Sequence, residues 1–156
     1  MIKGAGKTML TRLEDLPQNT TIAGVHCVPI TPEGNLVLSW DEEEQLITTV
    51  GGRLEQNESI NEALSRELME EIGLVIEESK IPLITYYWES TNTYTIWYLV
   101  KAKEFLKTEF DFEKTGYIIL NFKTAQQLLH KLEPENQTRR TILETAECVA
   151  KEQGWI

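Results

Sequence analysis

One stretch constrains this chain more than any other: Gly52 to Leu74, which reads GRLEQNESINEALSRELMEEIGL. It sets Glu67, Glu70 and Glu71 at helical spacing, behind a glycine-led loop and just ahead of Gly73. Carboxylates crowded into one helical turn repel one another. A like-charge pair at ~4 Å costs roughly 4 kcal/mol at an effective dielectric of ~20. Such a helix wants something positive among its acids. Oxygen donors of this kind select hard divalent cations, Mg2+ or Mn2+, ahead of zinc or copper. The segment therefore reads as a helix built to hold metal.

Local signals bound that helix. Ser59 and Glu62 form an S-x-x-E capping box at its start, and Gly73 suits the left-handed stop at its end. Between them Ile60, Ala63, Leu64, Leu68 and Ile72 make an amphipathic stripe. At about 100° per residue, Glu67 and Glu71 fall beside Ile60, Ala63 and Leu64 on the buried side. Glu62, Arg66 and Met69 point away from it. Acids on a charge-rich helix usually face water, but these border the apolar stripe, where an unpaired charge is costly. Arg66 and Glu70 stand one turn apart, the spacing of a helix ion pair.

Written as G-x5-E-x7-R-E-U-x-E-E-x-G-U, with U aliphatic, the segment resembles the Nudix box at every fixed position. The matching residues are Gly52, Glu58, Arg66, Glu67, Leu68, Glu70, Glu71, Gly73 and Leu74. The resemblance implies an α/β/α sandwich with a mixed β-sheet and the box helix packed on it. It also implies hydrolysis of a nucleoside diphosphate linked to another group, by water attacking phosphorus. On that reading Glu67, Glu70 and Glu71 are the metal ligands for Mg2+, with Mn2+ as substitute, and Glu67 or Glu70 orients or deprotonates the water. Arg66 joins the catalytic set by bracing the loop or the carboxylates rather than by touching substrate. Glu58 reaches the metal through water or fixes the loop. Many relatives need a further carboxylate from a later loop; Glu113 is the candidate here, with Asp111 and Glu109 behind it. Gly51, Gly52 and Arg53 are the candidate substrate-binding residues, the glycines because they let the backbone come close. Val50 stands where a proline is common in the family.

The rest of the chain agrees with one Nudix-type domain over residues 1–156. A chain of this length buries a core without staples. Cys27 and Cys148 form no metal or disulfide pattern and read as buried or half-buried free thiols of a reducing compartment. No apolar run suits a membrane span and the start lacks a signal peptide's apolar core, so the expected location is cytoplasmic. The net charge of −10 argues against broad nucleic-acid or anionic-membrane binding. A small diphosphate is the expected partner, with bound cations supplying the positive charge.

Strands are expected at 21–30, 36–40, 46–50, 83–88, 94–100 and 117–122, with helices at 123–132 and 138–153. The first two strands form a hairpin, as do 83–88 and 94–100. Asp41 to Glu44 reads as a solvated acidic loop. His26 reads as a satisfied sheet residue. His130 sits late in a helix, where a cation suits the dipole. About half of Tyr86, Tyr87, Trp88, Tyr94, Trp97 and Tyr98 should be core, since strand residues alternate faces. Ile142, Ala146 and Val149 share a stripe that fits packing within the chain or a homodimer.

Gly4-Ala5-Gly6-Lys7-Thr8 mimics the end of a P-loop but lacks the leading glycine and strand. Substrate marks outside the box do not single out a subfamily. Pro82 is too near, and Pro134 too far, for the proline of ADP-ribose enzymes. Tyr94 does not stand clearly where dinucleoside polyphosphate enzymes carry a tyrosine. The coenzyme A and NADH signatures are absent. Two other classes compete: a nucleotide-sensing Nudix domain without turnover, which tends to lose box glutamates, and a prenyl diphosphate isomerase, which needs a catalytic cysteine.

Overall fold

A computed structural model describes residues 10–156 apart from Arg12 and Gln18. The glycine-lysine run at residues 4–8 lies outside the described residues. In chain order the elements are β1 (Leu10–Thr11), a single 3-10 turn, β2 (Ile22–Ile30), β3 (Leu36–Asp41), β4 (Leu46–Thr48) and β5 (Val50–Arg53). Then come α1 (Ile60–Ile72), β6 (Leu74–Trp88), β7 (Thr93–Phe105), β8 (Lys114–Leu120), α2 (Phe122–Leu132) and α3 (Gln137–Glu152).

The strands join in one mixed sheet. Its main path runs β1-β6-β7-β2-β3-β4, with β5 paired to β2 and β8 to β3. Every pairing is antiparallel except the central one, where β2 runs parallel to β7 from Ile22 opposite Tyr94 to Ile30 opposite Lys101. Alternation sorts the side chains onto two faces. Val25, Cys27, Val37, Ile96, Tyr98 and Val100 pack against Ala63, Leu64, Leu68 and Ile72 of α1. Val28, Ile30, Leu36, Leu38, Trp97 and Leu99 pack on the other face, against Phe122, Ala125, Leu129, Ile142, Leu143 and Ala146 of α2 and α3. This is the expected α/β/α sandwich.

The box helix begins and ends where its caps require. Ser59 Oγ accepts from the Glu62 amide at 3.1 Å, and Glu62 Oε1 accepts from the Ser59 amide at 3.1 Å. Gly73 closes it with φ 66°. A side chain there would meet the Leu106 carbonyl at 2.7 Å, so the position needs glycine for space as well as conformation.

Several expectations need correction. β6 begins at Leu74, not at residue 83, because β7 holds the polar stretch around Glu77, Glu78 and Pro82 through a series of register shifts. The expected strand at 46–50 is split at Thr49 into β4 and β5, which pair with different partners. β8 starts at Lys114 rather than residue 117, and Phe122 opens α2. Asp41 is not a solvated loop residue: it ends β3 and is buried against Lys114. Cys148 is exposed, whereas Cys27 is buried as expected. On α3, Ile142 and Ala146 are buried in this chain's own core with Val149 packed beside them, so the stripe is used internally.

Candidate functional site

The box brings its acids to the short β5 strand. Gly51 donates its amide to Glu71 Oε2 at 3.2 Å. A Cβ on Gly52 would stand 2.4 Å from Glu67 Oε1, so that carboxylate occupies the space a side chain would take. Gly51 is more tightly bound by its surroundings. At φ 153°, a Cβ there would lie 2.2 Å from the Val25 carbonyl oxygen and 2.5 Å from His26 Cα. Backbone, not a movable side chain, blocks substitution at Gly51.

Arg66 is the hub of the acids. Its Nε and Nη2 grip the two oxygens of Glu58 at 2.7 and 2.9 Å. Nη1 donates to Glu67 Oε1 at 3.0 Å and Glu70 Oε2 at 3.3 Å, and Nη2 donates to the Arg53 carbonyl at 3.1 Å. Arg66 thus braces both the loop and the carboxylates, through a fork that folds back over the helix start. The guanidinium and the Glu55 amide draw Glu58 down to about 2, and the same carboxylate holds Arg66 above its already high pKa.

Glu71 has no such partner. It is 2% exposed, and among the described residues its one hydrogen bond is the Gly51 amide. Burial pushes its pKa up to about 8; Lys114 opposes the shift, while Glu67 and Glu113 add to it. Glu67 is also raised, chiefly by burial, with Arg66 opposing. Glu113 is itself exposed, yet it stands near enough to act on both Glu67 and Glu71. Asp111 and Glu109 are exposed, and Glu109 pairs with Lys107 at 3.6 Å.

Among the described residues no three His, Cys, Asp or Glu side chains are already drawn together as a cation cage. Arg66 instead takes up part of the negative charge. The donor chemistry nonetheless fits a hard cation. Glu67, Glu70 and Glu71 share one helix end, and ionising the buried Glu71 carries a cost that Lys114 and the Gly51 amide offset only in part.

Two features were not legible beforehand. Lys114, 6% exposed, donates from Nζ to Asp41 Oδ2 at 3.0 Å and to Thr48 Oγ1 at 2.9 Å, behind the carboxylates. A cleft of about 300 Å³ also opens beside the box, lined by Gly24, His26, Gly52, Arg53, Trp88 and Thr95 among others. Gly52 belongs to both the acid cluster and this cleft. His26 is a hydrogen-bonded sheet residue as expected, and it also lines the cleft.

A NUDIX domain family model matches residues 20–145. The chain belongs to the Nudix family. Nudix hydrolases generally use divalent metals. Among solved structures the chain is similar to the Bacillus subtilis pyrophosphohydrolase BsRppH, with TM-score 0.69 and 22% identity over 96% of this chain and 92% of that one. It is also similar to a Nudix hydrolase from Nitrosomonas europaea, with TM-score 0.62 and 17% identity over 83% of this chain and 90% of that one. At such identities these likenesses speak for the Nudix fold. Comparison with curated protein sequences finds no match. Among the described residues no helix is long and apolar enough to cross a membrane.

Proposed function

We propose that this Nudix chain hydrolyses the diphosphate linkage of a nucleoside diphosphate joined to another group, with Mg2+ or Mn2+, by attack of water at phosphorus. The observation that carries this reading is the meeting at Gly52 of two things: the box acids and a cleft whose near wall carries Arg53. A bound divalent cation neutralises charge on the diphosphate and acidifies water.

The chain's own residues supply the rest. Glu67, Glu70 and Glu71 hold the cation, and binding it relieves the cost of charging the buried Glu71. Glu67, its pKa raised by burial, is suited to orient or take a proton from the attacking water. Arg66 positions Glu67 and Glu70 and is tied through Glu58 to the loop; it does not touch substrate. Arg53 and the Gly51–Gly52 backbone flank the diphosphate. Glu113 stands ready as a further acid from the loop before β8.

The test is turnover of a panel of nucleotide sugars, ADP-ribose, nucleoside triphosphates and dinucleoside polyphosphates with Mg2+ or Mn2+. Released phosphate is read with and without added phosphatase. Glu70→Gln and Glu71→Gln should each lose about 10²–10⁴-fold in rate while staying folded. Undiminished hydrolysis by both variants would overturn the ligand assignment. No turnover from wild type, with nucleotides still raising its Tm, would favour a sensing domain instead.

A further inference from the structure

The sheet has two long edge strands, and they are built differently. On one side β6 carries Glu77, Glu78, Lys80 and Pro82 along the stretch that β1 leaves uncovered. Charges and proline are what keep a strand edge from pairing with another chain. β8 is the other edge. It pairs with β3 from Leu120 opposite Leu36 to Lys114 opposite Asp41, and among the described residues no strand pairs with its second side. From Thr115 to Asn121 it reads TGYIILN, without a charge or a proline. Tyr117, Ile118 and Ile119 are 38%, 36% and 43% exposed. Three consecutive large apolar residues at an open strand edge mark an interaction site.

Register with β3 sorts them. Ile119 lies opposite Val37, on the face that packs against α1, and Ile118 lies opposite Leu38, on the α2–α3 face. Tyr117 shares the face of Ile119. It is held in place by stacking on Phe105, with ring centroids 4.9 Å apart and planes 17° apart. The helix layers therefore leave apolar surface open on both sides of this strand. Leu106 and Phe112, in the stretch that leads to it, are exposed as well.

A second copy of the same strand fits this edge. Place a two-fold axis normal to the sheet through Ile118, with the strands antiparallel. Ile118 then faces its own copy, and each Tyr117 faces the other copy's Ile119 on a shared face. Aromatic against β-branched is a favourable cross-strand pair. Moving the axis to Tyr117 would set Ile119 against Thr115, and moving it to Ile119 would set Tyr117 against Asn121. Only the axis at Ile118 pairs all three apolar residues with one another.

Charge agrees with this register. Two chains of net charge −10 repel, yet the strand that would join them is neutral. Beyond the pair formed by Leu120 and the other copy's Gly116, Lys123 on one copy and Glu113 on the other lie equally far along. Both are exposed. Opposite charges thus approach at each end of the contact.

We infer that β8 is a homodimer interface, at which two copies join their sheets edge to edge, antiparallel, about Ile118. The inference is independent of the hydrolase reading. One short strand is a small contact, so the dimer is reversible, with dissociation in the micromolar range.

Sedimentation velocity of the full chain from about 1 to 200 µM should show monomer passing to dimer and stopping there. Ile118→Lys sets like charges on the axis and should stay monomeric, with circular dichroism matching wild type. Cross-linking tests the register even if that variant fails to fold. In a Cys148→Ser background, where Cys27 is buried, mild oxidation of Ile118→Cys should give a disulfide-linked dimer. Opposed residues stand ~4.5–5.5 Å apart at Cα, within disulfide reach. Ile119→Cys does not face its own copy and should link at least about tenfold more slowly. Mixing it with Tyr117→Cys should restore the link. A wild type still monomeric at about 200 µM would overturn the inference and leave the edge to an extended segment of a different protein. Growth beyond the dimer, dimerisation by folded Ile118→Lys, or equal linking by Ile118→Cys and Ile119→Cys would overturn it too.

Discussion

Glu71 offers a direct measurement of what the box costs the fold. Its carboxyl is 2% exposed, and its pKa stands at about 8 against an ordinary 4.5. The native state therefore holds a proton that the unfolded chain releases above pH ~4.5. The sign follows: the stabilising effect of the protonated form is full below pH 4.5, fades as pH rises, and is gone above about 8. At pH 7.5 the loss is three pH units at ~1.4 kcal/mol each, or about 4 kcal/mol. Glu71→Gln keeps an acceptor for the Gly51 amide and removes the charge. In the presence of EDTA it should match wild type near pH 5 and exceed it by about 4 kcal/mol at pH 7.5. For a chain of this size that is roughly 10 °C in Tm. Urea melts of both proteins at the two pH values would measure it. Added Mg2+ should then stabilise wild type at pH 7.5 and leave the variant unmoved. A variant no more stable than wild type at pH 7.5, or a wild type insensitive to pH over this range, would refute the view that burial makes the fold retain the Glu71 proton at a cost.

The two glycines of β5 should respond in opposite ways to alanine. Gly52→Ala meets the movable end of Glu67, so stability should change by less than about 1 kcal/mol while turnover falls at least about tenfold. Gly51→Ala meets backbone and should cost more than about 3 kcal/mol, read by urea melts. Lys114→Met should destabilise by about 3–5 kcal/mol, because it leaves Asp41 buried without its partner. The double variant Lys114→Met, Asp41→Leu should recover most of that in the same melts, since a buried pair is often replaceable by apolar groups.

How far the sequence revealed this molecule depended on whether a signal was local. The caps at Ser59 and Gly73, the apolar stripe of α1 and the Thr31–Asn35 turn are all written within a few neighbouring residues, and each falls where expected. Lys114 and Asp41 were missed because each sits in a polar run that reads as solvated. Only the pairing of β8 with β3 makes them face each other, with Asp41 opposite Lys114 in register. The same holds for the chain of hydrogen bonds from Trp97 through Thr49 to His26, whose members come from β7, the β4–β5 break and β2. The start of β6 was missed because Glu77, Glu78 and Pro82 argue against a strand, and pairing with β7 outweighs them. Arg66 was placed by periodicity on the outward side of the helix, but a long side chain reaches back to a carboxylate that helical spacing alone does not locate.

The parallel seam between β2 and β7 also sets an order of assembly. Ile22 meets Tyr94 and Ile30 meets Lys101, so a loop of ~70 residues must close before the centre of the sheet exists. During synthesis the hairpin of β2 and β3 and the box helix can form while β7 is still in the ribosome. The cleft cannot, because Gly24 and His26 wait for Thr93, Thr95 and Trp97 from the far side of that seam. Helical signal should return early in refolding from urea, and nucleotide binding should return with the slow closure of the sheet.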